Sequence, residues 1–411
     1  MSSVDVTTDV LIIGAGPSGA VAAGLLRKKG WDVLVLEKQH FPRFSIGESL
    51  LPQCMEFVAE AGMTEAVEAG GFQYKNGAAF HHAGCDTAFD FREKFSPGPG
   101  TTFQVERARF DQILAGEAEK AGADVRFGHE IVAVDFEGDM PRVDVQTDEG
   151  RAFQVSARFV LDASGFGRVL PRLLDLETPS SFPVRMSLFT HVEDRIDAVD
   201  HDRDKILITV HPEHHDVWYW LIPFGNGRSS LGVVARPEFV ERYQGDAGQR
   251  LQQIVHEDPN LARLLANAHW DTPAREIRGY SANVKQLWGR HFALLGNAAE
   301  FLDPVFSSGV TIAMKSASLA ANVLNRQLRG EIVDWEAEFA RPLKKGVDTF
   351  RTYVDGWYDG SFQDVIFAEN PSVPVREMIS SILAGYAWDT DNPYVSESRR
   401  RLRVLAELCR G

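Results

Sequence analysis

The sequence predicts an α/β fold, and three observations predict it. Residues 8–13 (TDVLII) form an apolar strand-like run that stops at Gly14-Ala-Gly16-Pro-Ser-Gly19. Ala20 to Leu26 then switch to the small-residue and leucine pattern of a helix. A second strand, Asp32 to Leu36, ends in Glu37. Residues 184–192, 206–211, 217–224 and 229–235 have the strand character of a separate mixed or antiparallel sheet. The expected architecture is a Rossmann-like nucleotide-binding region interleaved with that second sheet and followed by C-terminal helices.

Composition narrows the class. The 411 residues carry 43 Lys and Arg against 58 Asp and Glu, a formal net charge of −15. Such a chain lacks the phosphate-neutralising surface of a general nucleic-acid binder and is repelled by anionic membranes. With 44% apolar residues it can build a core, which excludes whole-chain disorder. Cys54, Cys85 and Cys409 show neither a pairing pattern nor a CxxC. A disulfide framework and a thiolate metal site are therefore not expected. The opening MSSVDVTTDV has no basic region before a long apolar stretch, and the first strand is too short to cross a bilayer. The expectation is a cytoplasmic chain without an integral membrane segment or a nucleic-acid partner.

In chain order, Gly14 permits the tight turn after the first strand, Gly16 lets the backbone approach a pyrophosphate, and Gly19 lets helix and strand pack closely. Amides at the helix start face the diphosphate. Glu37 follows Gly14 at near the spacing of about 20 residues that suits a carboxylate on ribose hydroxyls. These letters alone do not separate NAD from FAD. Next comes Phe41-Pro-Arg43-Phe-Ser-Ile-Gly47-Glu48-Ser49-Leu-Leu-Pro52, a loop and helix entry. Lys75 lies in Gly71-Phe-Gln-Tyr-Lys75-Asn-Gly77-Ala-Ala-Phe80, at the start of a hairpin. Glu106-Arg107-Ala-Arg109-Phe110-Asp111 begins a helix. Strands are expected at 123–127 and 131–136, and a hairpin at 142–147 and 152–156 turns on Asp148-Glu149-Gly150. The apolar Phe159 to Leu161 leads to Asp162-Ala163-Ser164-Gly165, whose small residues allow close backbone approach.

In Trp218-Tyr-Trp220-Leu-Ile222-Pro223, strand alternation puts Trp218, Trp220 and Ile222 on one face, and Pro223 ends the strand. Asn226-Gly227 marks the following turn. Residues 240–268 read as helical and 275–280 as a returning strand. His291 to Leu295 is a strand ending in Gly296-Asn297-Ala298-Ala299, followed by Glu300-Phe-Leu-Asp303-Pro304-Val-Phe306-Ser307-Ser308-Gly309. Helices are expected at 312–329 and 334–354, with Pro342 near a bend or boundary. The 356–411 segment has no assigned role; a cover for the substrate mouth and an oligomer contact are both open. The adjacent pairs His81-His82 and His214-His215 do not make a metal site by themselves, and none is expected. Ser164 is not in a GxSxG elbow, which disfavours hydrolase chemistry.

Over roughly residues 8–355 these segments resemble the p-hydroxybenzoate-hydroxylase-like FAD monooxygenase fold. More narrowly, they resemble the phenol/pyrrole-type branch of the flavin-dependent halogenases. The resemblance implies FAD as cofactor and chloride or bromide as co-substrate. Reduced FAD and dioxygen would oxidise the halide for transfer to an electron-rich aromatic substrate, free or attached to a carrier protein. It implies a separate NAD(P)H-dependent flavin reductase. Gly14, Gly16, Gly19, Glu37, Arg43, Ser49, Arg107, Asp162, Gly296 and Asn297 would contact or border the cofactor. Asn297 stands where many members of the wider fold have Asp, so one acceptor remains and the charge is lost. Pro304, Ser307, Ser308 and Gly309 would form the halide and flavin region, and Lys75 would present the halogen. Trp218, Trp220, Ile222 and Pro223 match a WxWxIP motif that would wall substrate away from the flavin.

The expected organisation is a discontinuous FAD-binding region at 1–180 and 281–330, with the 72–104 insertion near the substrate side. A sheet domain at 181–280 and a helical region at 331–411 complete it. The alternatives are an FAD-dependent monooxygenase or lipid-type reductase on the same fold, and a flavin-binding partner protein without turnover.

Overall fold

The protein is described here by a computed structural model covering residues 4–410 apart from 181, 198, 200, 280, 281 and 371. The expected boundaries at 181, 280 and 281, and Pro371 of the C-terminal segment, lie outside the described residues.

The first sheet grows from the opening strand. Val4–Ile13 pairs in parallel with Val33–Glu37 on one side and with Ala152–Asp162 on the other. Asp124–Phe127 and Phe292–Leu294 extend it in parallel at the two ends. Val10, Leu11 and Ile12 are fully buried, as parallel strands covered on both faces must be. The helix Pro17–Lys28 begins with Pro at its first turn, where no amide hydrogen is missed. It packs through Ala20 to Ala23, Leu25 and Leu26 against the core that Gly309–Leu328 also enters. The expected strands 152–156 and 159–161 are one strand, Ala152–Asp162, because nothing at 157–158 breaks an extended chain. It runs parallel to Val4–Ile13 from Gln154 to Asp162, and its first half also takes the hairpin partner Arg142–Thr147 on the other edge.

The second sheet has seven strands. Their order is Arg275–Arg278, Met186–Glu193, Arg228–Ala235, Trp218–Pro223, Lys205–Val210, Gly77–His82 and Cys85–Asp90. Four match the strands expected at 184–235. The last two come from the 72–104 segment, whose Gly77–His82 runs parallel to Lys205–Val210. The stretch expected as helical at 240–268 is three short helices, Pro237–Val240, Ala247–Val255 and Pro259–Leu264. Asp246 caps the second through Gln249 N and Asp258 caps the third through Leu261 N, so Gly245 and Pro259 divide what periodicity alone joins.

Helix Gly309–Leu328 starts three residues earlier than expected. The helix expected at 334–354 is a continuous helical run whose π turn, Glu336–Ala340, leads into Arg341–Tyr358; Pro342 stands just after that irregularity, near the expected bend or boundary. The 356–411 segment adds helices Ser361–Ile366, Val373–Leu383 and Ser398–Arg410. Their apolar faces share one cluster with Trp218, Trp220, Ile222, Val305 and Phe306, so the C-terminal region is part of the core behind the second sheet. No helix among the described residues is long and apolar enough to cross a membrane.

Candidate active site

The glycine turn has the shape of a nucleotide cradle. A Cβ on Gly14 would stand 2.6 Å from Ala163 O, and one on Gly19 would stand 1.9 Å from Gly14 O. Both positions require glycine for the chain itself. Gly16 differs: only Arg43 Nη2, at 3.4 Å, lies near its missing Cβ, so space opens there at the helix N-terminus beside a guanidinium. That is a suitable setting for a pyrophosphate. Glu37 Oε2 accepts from Ala15 N at 3.0 Å and Oε1 from Gln39 N at 2.9 Å, which fixes the carboxylate at the strand end facing the turn.

Arg43 and Arg107 share one anchor. Asp111, with no exposed surface, accepts from Arg43 Nη1 at 3.0 Å and from both Nε and Nη2 of Arg107. Arg107 Nη1 donates to Ile46 O at 2.6 Å and stands 3.1 Å from where a Gly47 Cβ would be. Two guanidiniums on one carboxylate leave a net positive charge against the 43–47 loop. Asp111 was not singled out from the sequence, although its i,i+4 spacing from Arg107 is the signal that finds it.

Asp162 is tied into its own turn. It is fully buried, and its two oxygens accept from Ser164 N at 2.9 Å and Leu170 N at 2.7 Å. Burial raises its pKa, and these bonds oppose the rise. The carboxyl holds the 162–170 turn together, and the Ala163 backbone makes the close approach to Gly14. The same region contains Arg168, which sequence reasoning missed. It is buried at a left-handed φ of 46° and ties Glu177, Asn283 O and Asn297 O into one knot.

Gly296 has φ +53°, and a Cβ there would lie 2.8 Å from Ala313 Cβ. Asn297 Oδ1 lies 3.9 Å from where a Gly309 Cβ would be, so the two motifs meet across the start of the long helix. Pro304–Phe306 is one tight turn, Ser307 is left-handed at φ +56°, and Ser308 is the N-cap residue. The space at Gly309, the amides of a 20-residue helix and its positive dipole end suit an anion.

Lys75 is fully enclosed. Its Nζ donates to Ser49 Oγ and to Leu50 O, both at 2.7 Å, and lies 5.5 Å from the Phe91 ring centroid. Burial without a carboxylate partner lowers its pKa to about 7, while the Cys54 thiol nearby pulls slightly the other way. Ser49, expected at the flavin, is thereby the lysine's partner. Cys54 Sγ lies 3.1 Å from Thr311 Oγ1, which links the lysine's surroundings to the first turn of the long helix. The next loop residue, Glu48, is buried and 2.7 Å from His191 Nε2, another pair that the sequence did not announce.

Trp218, Trp220 and Ile222 lie in one buried cluster and Tyr219 and Leu221 in another, on opposite faces of the strand. Trp218 Nε1 donates to Tyr358 Oη at 2.9 Å and Trp220 Nε1 to Ser230 Oγ at 3.0 Å. Pro223 is the last strand residue. His81 pairs with Asp86 and His211 with Glu257. Among the described residues no group of three or more His, Cys, Asp or Glu is arranged to hold a metal.

Comparison with known proteins decides the family. Residues 7–337 match the family described as FAD binding domain. The chain is 30% identical over 426 aligned positions to the 1H-pyrrole-2-carbonyl-[peptidyl-carrier protein] chlorinase of Pseudomonas fluorescens, covering 97% of this chain and 92% of that one. This protein is a member of the flavin-dependent halogenase family. The halogenase is also 31% identical to the tryptophan 2-halogenase of Chondromyces crocatus, matching 79% of this chain but only 62% of that longer relative. Among solved structures, a flavoprotein/dehydrogenase of Cytophaga hutchinsonii superposes with a TM-score of 0.95 at 42% identity, covering 98% and 99% of the two chains. A flavin-dependent brominase superposes at 0.83 with 25% identity over 98% and 99%. The family binds FAD, and the pyrophosphate cradle, the Arg43–Arg107 charge and the open Gly309 corner fit that group.

Proposed function

We propose that this halogenase uses reduced FAD, dioxygen and chloride or bromide to halogenate an electron-rich phenol or pyrrole, with Lys75 as the residue that delivers the halogen. One observation carries the assignment: an amine with no exposed surface, held by two hydrogen bonds and with its pKa lowered by burial to about 7, beside a loop that Arg107 holds. Bound and reduced, FAD supplies the activation of dioxygen that oxidises the halide. The chain's own groups do the rest. Arg43 and Arg107 neutralise the pyrophosphate, while the helix start at Ser307, Ser308 and Gly309 holds the halide. The face of Trp218, Trp220 and Ile222 keeps water and organic substrate out. Neutral Lys75 attacks the halogen of hypohalous acid, giving a haloamine and water. The ring then takes the halogen, loses a proton and returns the free amine.

Because the site has one dinucleotide cradle in its sequence, reducing equivalents come from a separate NAD(P)H-dependent flavin reductase, which suits a cytoplasmic setting. A carrier-bound acyl ring, as in the name of the pyrrole chlorinase relative, is a candidate substrate alongside free phenols. The sequestered, hydrogen-bonded amine supports this reading over a monooxygenase, a lipid-type reductase or a flavin-binding protein without turnover. The test is aerobic turnover with FAD, a flavin reductase, NADH and bromide, with a phenol as acceptor. Brominated phenol is expected. NADH consumption with hydroxylated product, or none, rejects the assignment.

A further inference from the structure

Three segments meet beside Lys75 in a fixed register. Gln73–Lys75 pairs antiparallel with Thr102–Gln104, with Lys75 opposite Thr102 and Gln73 opposite Gln104. On the other edge of Thr102–Gln104, Ser49 forms an antiparallel bridge with Gln104. Directly opposed residues project to one face, so Lys75, Thr102, Gln104 and Ser49 share a side. Lys75 Nζ reaches Ser49 Oγ at 2.7 Å, so the amine spans the middle strand and lies over Thr102 and Gln104.

Two polar atoms on that face have no partner. Thr102 Oγ1 and Gln104 Oε1 are buried and make no hydrogen bond, in residues 2% and 0% exposed. Gln104 is held in place by its other end, Nε2 donating to Arg203 O at 2.9 Å. A buried hydroxyl and a buried carbonyl left unmatched are costly, and a ligand or reacting group that completes them is one explanation for such an exception. They lie on the strand face across which Lys75 reaches Ser49, and the Phe91 ring centroid is 5.5 Å from the amine. The matching ligand is small, neutral, and both donor and acceptor.

We propose that Thr102 Oγ1 and Gln104 Oε1 form a receiving site that holds hypohalous acid against Lys75. Gln104 Oε1 accepts the O–H of the acid, and the Thr102 hydroxyl donates to its oxygen. The halogen then points at Nζ. The amine lone pair forms the N–X bond as the X–O bond breaks. The leaving oxygen is stabilised by Thr102 and takes the proton lost from nitrogen, so water departs and no outside oxidant or reductant is needed. This rests on the halogenase reading and assigns to it two positioning residues.

The test uses Thr102→Val, which keeps the shape and deletes the hydroxyl, and Gln104→Met. Both are assayed as full-length protein loaded with FAD, with a reductase, bromide and a phenol acceptor. Three quantities are read: reduced-FAD oxidation, brominated phenol, and hypobromous acid escaping to a scavenger too bulky to enter. Thr102→Val is expected to unfold at or above the parent temperature, because an unmatched polar atom is removed. It should oxidise reduced FAD at the parent rate, lose product about tenfold, and raise the escaped fraction correspondingly. Parent-like product and escape in Thr102→Val overturn the proposal. So does a product loss that only tracks lowered thermal stability, with the escaped fraction unchanged. If Gln104→Met folds poorly, Gln104→Leu replaces it and is expected to show the same shift toward escape. Failure of the parent itself to oxidise bromide defeats the halogenase reading instead, and the two failures are told apart by the parent's scavenger signal.

Discussion

Lys75 Nζ and Ser49 Oγ are 2.7 Å apart, and Ser49 belongs to the same loop whose Ile46 carbonyl receives Arg107. The Lys75 amine and the Arg107 guanidinium are therefore held at opposite ends of one short segment, 46–49.

Lys75→Ala should separate flavin chemistry from carbon–halogen bond formation. The variant removes no cradle contact, so FAD binding and reduced-FAD oxidation should match the parent. Brominated product should fall by at least about 100-fold, the scale of a lost positioned catalytic group. Stopped-flow flavin spectra and chromatography of the same reactions check it. A variant that halogenates at the parent rate removes Lys75 from the mechanism.

The same residue sets a pH signature. Burial holds its folded pKa at about 7, below the ordinary lysine value of 10.5. Product formation, which uses the free amine, should rise through pH 7 and level off above it. The folded state releases this proton earlier than the unfolded one, so the cost of burying the ammonium is complete below pH 7. It is relieved as pH rises from 7 toward 10.5. Relative to Lys75→Met, the parent should gain stability across that window at up to about 1.4 kcal/mol per pH unit. Urea titrations at two pH values inside the window measure the slope; a flat or falling difference contradicts it.

Gly16→Ala and Gly19→Ala should fail differently. At Gly16 a methyl group meets only the end of Arg43, so the fold survives while the pyrophosphate space is filled. FAD affinity should drop about tenfold, or roughly 1.4 kcal/mol, with little change in melting. At Gly19 the methyl runs into Gly14 O, and stability should fall by about 1–3 kcal/mol. Fluorescence titration of FAD and thermal melts of the two proteins give the comparison.

Arg107→Met should be costly before any ligand is added. It leaves fully buried Asp111 with Arg43 alone, and stability should fall by about 3 kcal/mol. The double variant Arg107→Met/Asp111→Leu should recover much of that loss while still binding FAD weakly. Denaturant midpoints decide between this and a purely cofactor-binding role for Arg107.

Trp218→Phe and Trp220→Phe should each raise hydrogen peroxide released per reduced FAD consumed. Each also loses an indole N–H bond, to Tyr358 or Ser230, at about 1 kcal/mol. Unchanged coupling in both folded variants speaks against a barrier.

The strand–glycine–helix opening, the four strands between 186 and 235 and the shared face of the two tryptophans were legible because each rests on local periodicity. What stayed hidden depends on distant chain. The sequence around Lys75 reads as well as an exposed hairpin lysine, because its burial comes from residues 49–50 and 102–104. Asp162 stands in a cofactor-like turn, yet its oxygens are taken by amides up to eight residues onward. The pairing of Glu48 with His191 crosses from loop to sheet and leaves no spacing signal. Helix ends at 240–268 were missed because capping by Asp246 and Asp258 overrides an unbroken apolar rhythm.

The parallel pairing of Gly77–His82 with Lys205–Val210 has a consequence for biosynthesis. A ribosome that has released residue 90 has already made Lys75, but the strand that docks its hairpin into the sheet is not yet translated. Until it emerges, that hairpin has only its own antiparallel contacts, and a lone hairpin is marginal in water. Lys75 stands just before that hairpin and answers to a different partner: its enclosure waits on Thr102–Gln104. Nascent chains arrested before residue 102 should therefore carry an amine with an ordinary affinity for protons, which acylating reagents label only at high pH.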